Sequence, residues 1–171
     1  MFTFDRESVD LNAPIIPNEG IGIFKLNNHI QQYYDVISEY CFRKITPYNS
    51  NFVDYVHLRS PFEMVFIIAE CLEVSFHTMN GKLMQVTAKK GYRGMFNGTT
   101  TVGMQLDDFS VLEPSFIYDN SHEDYVSTQY RGISINNDPY FKEVESISVF
   151  VENIREEHDL IIIENFKKGK W

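Results

Sequence analysis

Cysteine is scarce in this chain of 171 residues: Cys41 and Cys71 stand far apart, and neither has a second cysteine near it. Two isolated thiols form no disulfide framework, so a reducing compartment is expected; they could meet in space as a metal site, but buried apolar thiols are the expectation. The five histidines, His29, His57, His77, His122 and His158, are spread too widely for any two to share one helix face around a metal. No apolar run approaches the ~20 residues of a membrane helix. Residues 1–7 lack the basic start and apolar stretch of a secretion signal, so a cytoplasmic location is expected. Phosphate-binding loops are missing as well. Gly81-Lys82 runs into Leu83, where such a loop needs Ser or Thr for magnesium. No Gly-x-Ser-x-Gly elbow occurs. Basic charge is short too, with 15 Lys and Arg against 24 Asp and Glu and a formal charge of −9. A phosphate backbone demands a basic patch, so nucleic acid is excluded as the expected partner. No cofactor, metal or membrane partner is expected.

Aromatic residues and acids are what the chain has in quantity. Fourteen Phe, ten Tyr and one Trp make it 15% aromatic, and 43% of residues are hydrophobic. That is ample material for one core in one domain spanning residues 1–171. The acids are segregated. Residues 1–106 hold 9 basic and 10 acidic side chains, a net of −1. Residues 107–164 hold 14 acids against Arg131, Lys142 and Arg155, a net of −11. Lys167, Lys168 and Lys170 follow as a basic tail over 165–171.

The hydrophobic pattern predicts an α+β fold with a mostly antiparallel sheet and a few short helices. Residues 1–19 read as extended or irregular, with Pro14 and Pro17 around Ile15-Ile16 and a turn at Asn18-Glu19-Gly20. Ile30, Tyr33, Tyr34, Ile37 and Tyr40 or Cys41 recur at helical steps after a capping Asn27 or Asn28. Residues 52–58 and 62–69 read as strands, the second as a central strand buried on both faces. Leu72, Val74 and Phe76 alternate with polar residues, as do Met84, Val86 and Ala88, and Asn80-Gly81 between them predicts a hairpin. Asn97-Gly98 predicts a second hairpin, joining residues 92–96 to 99–102. Residues 107–112 form a short helix stopped by Pro114. Strands are expected at 115–118, 125–128, 132–135, 147–151 and 160–163. An internal echo relates residues 21–28 to 102–108: in each, an apolar residue and a glycine lead to Leu, a pair of capping residues and a helix.

Two chemistries compete for the acidic segment. Asp107-Asp108 and His122-Glu123-Asp124 could pair as acid and base in a small hydrolase, or hold a divalent ion. Neighbours on a strand point to opposite faces, however, so each doublet gives a site at most one ligand, and a non-catalytic role is expected. Binding suits the segment better. Phe116, Tyr118, Tyr125 and Tyr130 interleave with Asp119, Glu123 and Asp124. Tyrosine brings contact area with a polar tip, and carboxylates pair with Arg and Lys of a basic protein. The expected partner-binding residues are Asp107, Asp108, Tyr118, Asp119, Glu123, Asp124 and Tyr125.

Residues 91–151 carry a resemblance. The stretch from Gly91-Tyr92-Arg93-Gly94 through Val102-Gly103-Met104-Gln105-Leu106-Asp107-Asp108, then Phe116–Tyr118 and Arg131-Gly132-Ile133-Ser134-Ile135, resembles the strand–turn–helix pattern of α+β immunity proteins from bacterial contact-dependent growth inhibition and related polymorphic toxin systems. The resemblance implies a small acidic protein that binds one cognate toxin domain, commonly a basic nuclease, and covers its active site. An adaptor subunit without inhibitory activity is the remaining alternative.

Overall fold

The computed structural model describes residues 9–44, 54–152 and 158–170. Much of the expected N-terminal segment, and the start of the strand expected at 52–58, lie outside the described residues. From residue 9 the chain builds a small antiparallel sheet of β1 (Ile15–Ile16), β2 (Gly20–Ile21) and β3 (Phe24–Lys25). The helical pattern that follows opens as a 3-10 turn over Ile30–Tyr33, with His29 Nδ1 accepting from the Gln31 amide, and continues as α1 (Tyr34–Tyr40). The tighter 3-10 turn shifts the phase of the apolar stripe. Tyr33 is buried, but Tyr34 is 71% exposed and does not join the face on which the sequence pattern puts it.

The main sheet has eight antiparallel strands: β4 (Val56–Ser60), β5 (Glu63–Ile68), β6 (Leu72–His77), β7 (Leu83–Ala88), β8 (Phe116–Asp119), β9 (Asp124–Ser127), β10 (Ile133–Asp138) and β11 (Glu143–Phe150). Their order is β4-β5-β6-β7-β11-β10-β9-β8. The α+β class is therefore as expected, and the Asn80-Gly81 turn joins β6 to β7 as the dipeptide predicts. Three expectations fail. Residues 62–69 do not form a central strand: β5 lies next to the edge, and the centre belongs to β7 and β11. Asn97-Gly98 turns the chain, with Asn97 and Gly98 at φ 53° and 72°, but its arms meet only at the Phe96–Thr100 bridge. Residues 160–163 are helical, inside α3 (His158–Lys167). Four consecutive apolar residues fit either period. Here Glu164 faces Lys167 and Lys168 at helical spacing, 3.4 and 3.6 Å away, which supports the helix.

The internal echo is structural, in a register different from the one the sequence suggests. The chain folds as two units, each a turn and helix followed by a four-stranded meander, and the units meet where β7 pairs with β11. Thr87 and Ser148, a separation of 61 residues, pair across this seam, and their hydroxyls lie 2.9 Å apart. The same displacement carries β6 onto β10 and β7 into β11. Both hairpins carry a bulge at the equivalent place, between Ser75 and Phe76 in one and Asn136 and Asn137 in the other. The entry to each helix bonds to the following hairpin in one pattern. Asn27 N donates to Leu83 O, Leu83 N to Asn28 O, and Ile30 N to Gly81 O. Gly103 N donates to Val144 O, Val144 N to Met104 O, and Leu106 N to Lys142 O. Asn27 and Gly103 share a positive φ, as do Gly81 and Lys142. The equivalent of residues 27–30 is thus 103–106. The outer strands diverge: Val65 faces Ser75, while Val126 faces Ser134 instead of Asn136.

One sheet face holds the core. Val74, Phe76, Leu83, Val86, Ile133, Ile135, Val144, Ile147 and Val149 are buried there, with Tyr33 and Phe109 reaching in from the two helical segments. The other face carries Ser75, Thr87, Ser134, Ser146 and Ser148, all buried. Among the described residues, Ser75 Oγ has no hydrogen-bond partner. A buried hydroxyl left unpaired costs about 1–3 kcal/mol. Ser75→Ala is therefore expected to stabilise the fold by about 1 kcal/mol, raising the thermal midpoint by roughly 2–4 °C. A lowered midpoint in calorimetry would contradict this account of Ser75.

Candidate functional site

The second unit carries the surface that the acidic segment builds. Its helix α2 (Leu106–Leu112) follows Gln105, an extended N-cap residue that makes no side-chain capping bond. Asp107 and Asp108 occupy the exposed first turn, where the positive end of the helix dipole favours carboxylates. Phe109 points the other way and is buried. The start of α2 is fixed against the tip of the β10–β11 hairpin by a bridge between Gln105 and Glu143 and by the Leu106 amide donating to Lys142 O at 2.9 Å.

That tip is tightly tied. Asp138 Oδ1 accepts from the amides of Tyr140 and Phe141 at 2.7 and 3.0 Å, and Lys142 N donates to Asp138 O. With the turn held by its own carboxylate, the two rings stand outward: Tyr140 is 90% exposed and Phe141 72%. Apolar rings displayed together at a surface mark an interaction site more often than rings scattered singly. Asp107, Asp108, Glu143 and Glu145 lie on the adjoining backbone, with Lys142 the one cation in that stretch. Tyr140 and Phe141 were absent from the residues picked out by sequence. A usable signal was Asp138-Pro139 leading two adjacent aromatics into a turn, where neighbouring side chains cannot both reach a core.

The other expected residues lie on the β8–β9 hairpin, at the far edge of the sheet. Tyr118 and Tyr125 are cross-strand partners with ring centroids 5.1 Å apart. Tyr125 also packs on Phe109, which packs on Phe116, which packs on Phe96. Tyr125 is therefore mainly a packing residue, and Tyr118, 41% exposed, is the solvent end of the aromatic chain. Asp119 accepts from the Ser121 amide and lies 2.8 Å from His122 Nδ1. The His122 hydrogen bond, helped by the Ser121 amide, holds the Asp119 carboxyl below its ordinary value. Glu123 is exposed at the turn, with φ 57°. Asp124, expected among the surface contacts, is instead only 3% exposed, on the sheet face opposite the one where Tyr125 meets Phe109. The expected set thus divides between the α2 start and the β8–β9 turn.

Elsewhere the geometry is structural. Cys41 and Cys71 are both buried, and burial pushes the Cys71 thiol up, away from the reactive thiolate. Glu73 bridges Lys89 and Arg59, whose charges outweigh its burial and hold its carboxyl below the usual range. Among the described residues, no three His, Cys, Asp or Glu side chains gather as a metal site. No helix among those residues is long and apolar enough to cross a membrane.

No protein-family model matches the chain, and no curated protein matches it. Among solved structures it is similar to a cysteine-rich secretory protein from Staphylococcus aureus subsp. aureus Mu50, with a TM-score of 0.45 and 12% identity. The likeness covers 83% of this chain and 49% of the other, so the chain spans about half the length of that protein.

Proposed function

We propose that this chain is a cytoplasmic immunity protein that binds a basic toxin domain, of the nuclease type, and neutralises it by covering the active site without catalysing a reaction. The observation that carries this reading is the acidic second unit, in which Tyr140 and Phe141 stand exposed on a hairpin tip that also carries Glu143 and Glu145 and whose backbone pairs with the start of α2, next to Asp107 and Asp108. A nuclease cleft is lined with cations that receive phosphates. Carboxylates on a rigid surface can occupy the same cations, and the exposed rings supply the burial that charge alone does not. Long-range attraction between the two surfaces would speed their encounter.

The reading expects a toxin domain to be encoded beside this gene, and the test is neutralisation of that domain; a neighbourhood with no such domain counts against the reading. Cells expressing that domain are expected to survive only when the chain is co-expressed, and the two proteins to purify together in a one-to-one complex. If a molar excess of purified chain leaves the toxin fully active, the reading is wrong.

A further inference from the structure

The two units carry two versions of one hairpin tip, and the tips differ in what lies beside them. On the first, α3 lies beside the tip: Ile161, Ile162 and Phe166 share a groove with Met79, Asn80 and Lys82. The equivalents on the second unit are Tyr140, Phe141 and Glu143, by the displacement that relates Thr87 to Ser148. The tips are built alike. Met79 N donates to His77 Nδ1 in one and Tyr140 N to Asp138 Oδ1 in the other. Gly81 N donates to His77 O, and Lys142 N to Asp138 O. Their side chains differ in a consistent direction. Met79 and Asn80 become the larger rings Tyr140 and Phe141, while His77, Lys82 and Met84 become the acids Asp138, Glu143 and Glu145.

We infer that the Tyr140–Phe141 tip receives an amphipathic, lysine-bearing helix of the basic partner, in the position that α3 holds on the first unit. The biological identity of that partner rests on the proposed function, whereas the preference for a helix rests on the paired tips. The first tip supplies the geometry, since α3 lies across a groove from the same backbone there. Charge complementarity supplies the sign, since three carboxylates replace the first tip's histidine, lysine and methionine. Apolar residues of the helix would cover the two rings, and its lysines would meet Glu143, Glu145 and the Asp107-Asp108 turn.

The test uses the full chain, labelled with nitrogen-15, and a synthetic peptide copying residues 158–170, which has the apolar and lysine content required. Titration into the millimolar range is expected to shift the amides of residues 138–145 and of the α2 first turn. Tyr140→Ala with Phe141→Ala is expected to weaken the peptide at least tenfold without altering the rest of the spectrum, because both side chains are exposed. A peptide with its three lysines changed to glutamate is expected to lose binding to the same extent. The inference is overturned if residues 138–145 do not shift at millimolar peptide, if shifts are confined to residues 77–84, or if the double variant binds unchanged. Peptide binding at the tip by a chain that fails to neutralise the adjacent toxin would sink the immunity reading and leave the helix site standing. Neutralisation by a chain whose tip ignores the peptide would do the reverse.

Discussion

Replacing Phe109 with alanine is expected to cost about 3–5 kcal/mol, the range for emptying a buried phenylalanine site. The ring is 1% exposed, and its centroid lies 5.5 Å from Phe116 and 5.6 Å from Tyr125. It is also the one buried residue of α2, a helix of seven residues. A helix so short does not persist by itself, so its order depends on that anchor. The loss should therefore appear twice. The thermal midpoint should fall by roughly 10 °C, and amides of residues 106–112 should exchange faster than the rest of the second unit. Val111, 80% exposed on the same helix, supplies the control: Val111→Ala should stay within about 0.5 kcal/mol. Equal midpoints for the two variants would show that α2 is not held by Phe109.

The second large effect concerns encounter with the partner. Asp107→Asn, Asp108→Asn, Glu143→Gln and Glu145→Gln together should lower the association rate with the basic toxin domain by about tenfold or more at low salt. Dissociation should change less, since steering acts before contact. Fields of exposed charges decay over about 8 Å at physiological ionic strength, so the difference from the parent chain should shrink as salt is added. Asp119→Asn with Glu123→Gln, at the β8–β9 turn, tests whether steering belongs to the whole acidic half or to the α2 start and its hairpin tip. Asp124 is left out because it is buried, and changing it would mix stability with charge. Rates that ignore both salt and the fourfold variant would reduce the acidic half to a solubilising surface.

Some of this architecture could be read from the sequence because local chemistry and tertiary need agree. Asn80-Gly81 sits between alternating strands and makes the expected turn, with Gly81 at φ 66°. Phe62 to Ala69 misleads because a continuous apolar run says nothing of which strands become neighbours. The β5–β6 turn is illegible for the opposite reason. Ala69 and Glu70 both adopt positive φ, 51° and 63°, where glycine or asparagine would announce the turn. The duplication was visible only as a Gly-and-Leu echo in the wrong register. Its true signature is a shared backbone pattern, with Asn27 standing where Gly103 does and Gly81 where Lys142 does, and identical side chains are not required for it. Among site residues, the exposed Asp107 and Asp108 follow from composition and helix position. The burial of Asp124 and the packing of Tyr125 on Phe109 depend on neighbours in space that the sequence does not place side by side.

The seam between Thr87 and Ser148 has a consequence for how such a chain can change over generations. A protein made of two versions of one unit owns each surface twice, and selection acts on the two differently. The tip beside α3 answers to the chain's own integrity, because its substitutions alter a groove that the molecule forms with its own helix. Under the proposed function, the second tip answers to the partner it receives. On that reading residues 140–145 can drift with a changing adversary, while the equivalent positions Leu83 and Val144, the pair Thr87 and Ser148, and the hairpin bulges are held by the sheet. Descendants of this chain that meet different partners should diverge first at Tyr140, Phe141, Glu143 and Glu145, with the central seam recording their common origin long after those contacts have been rewritten.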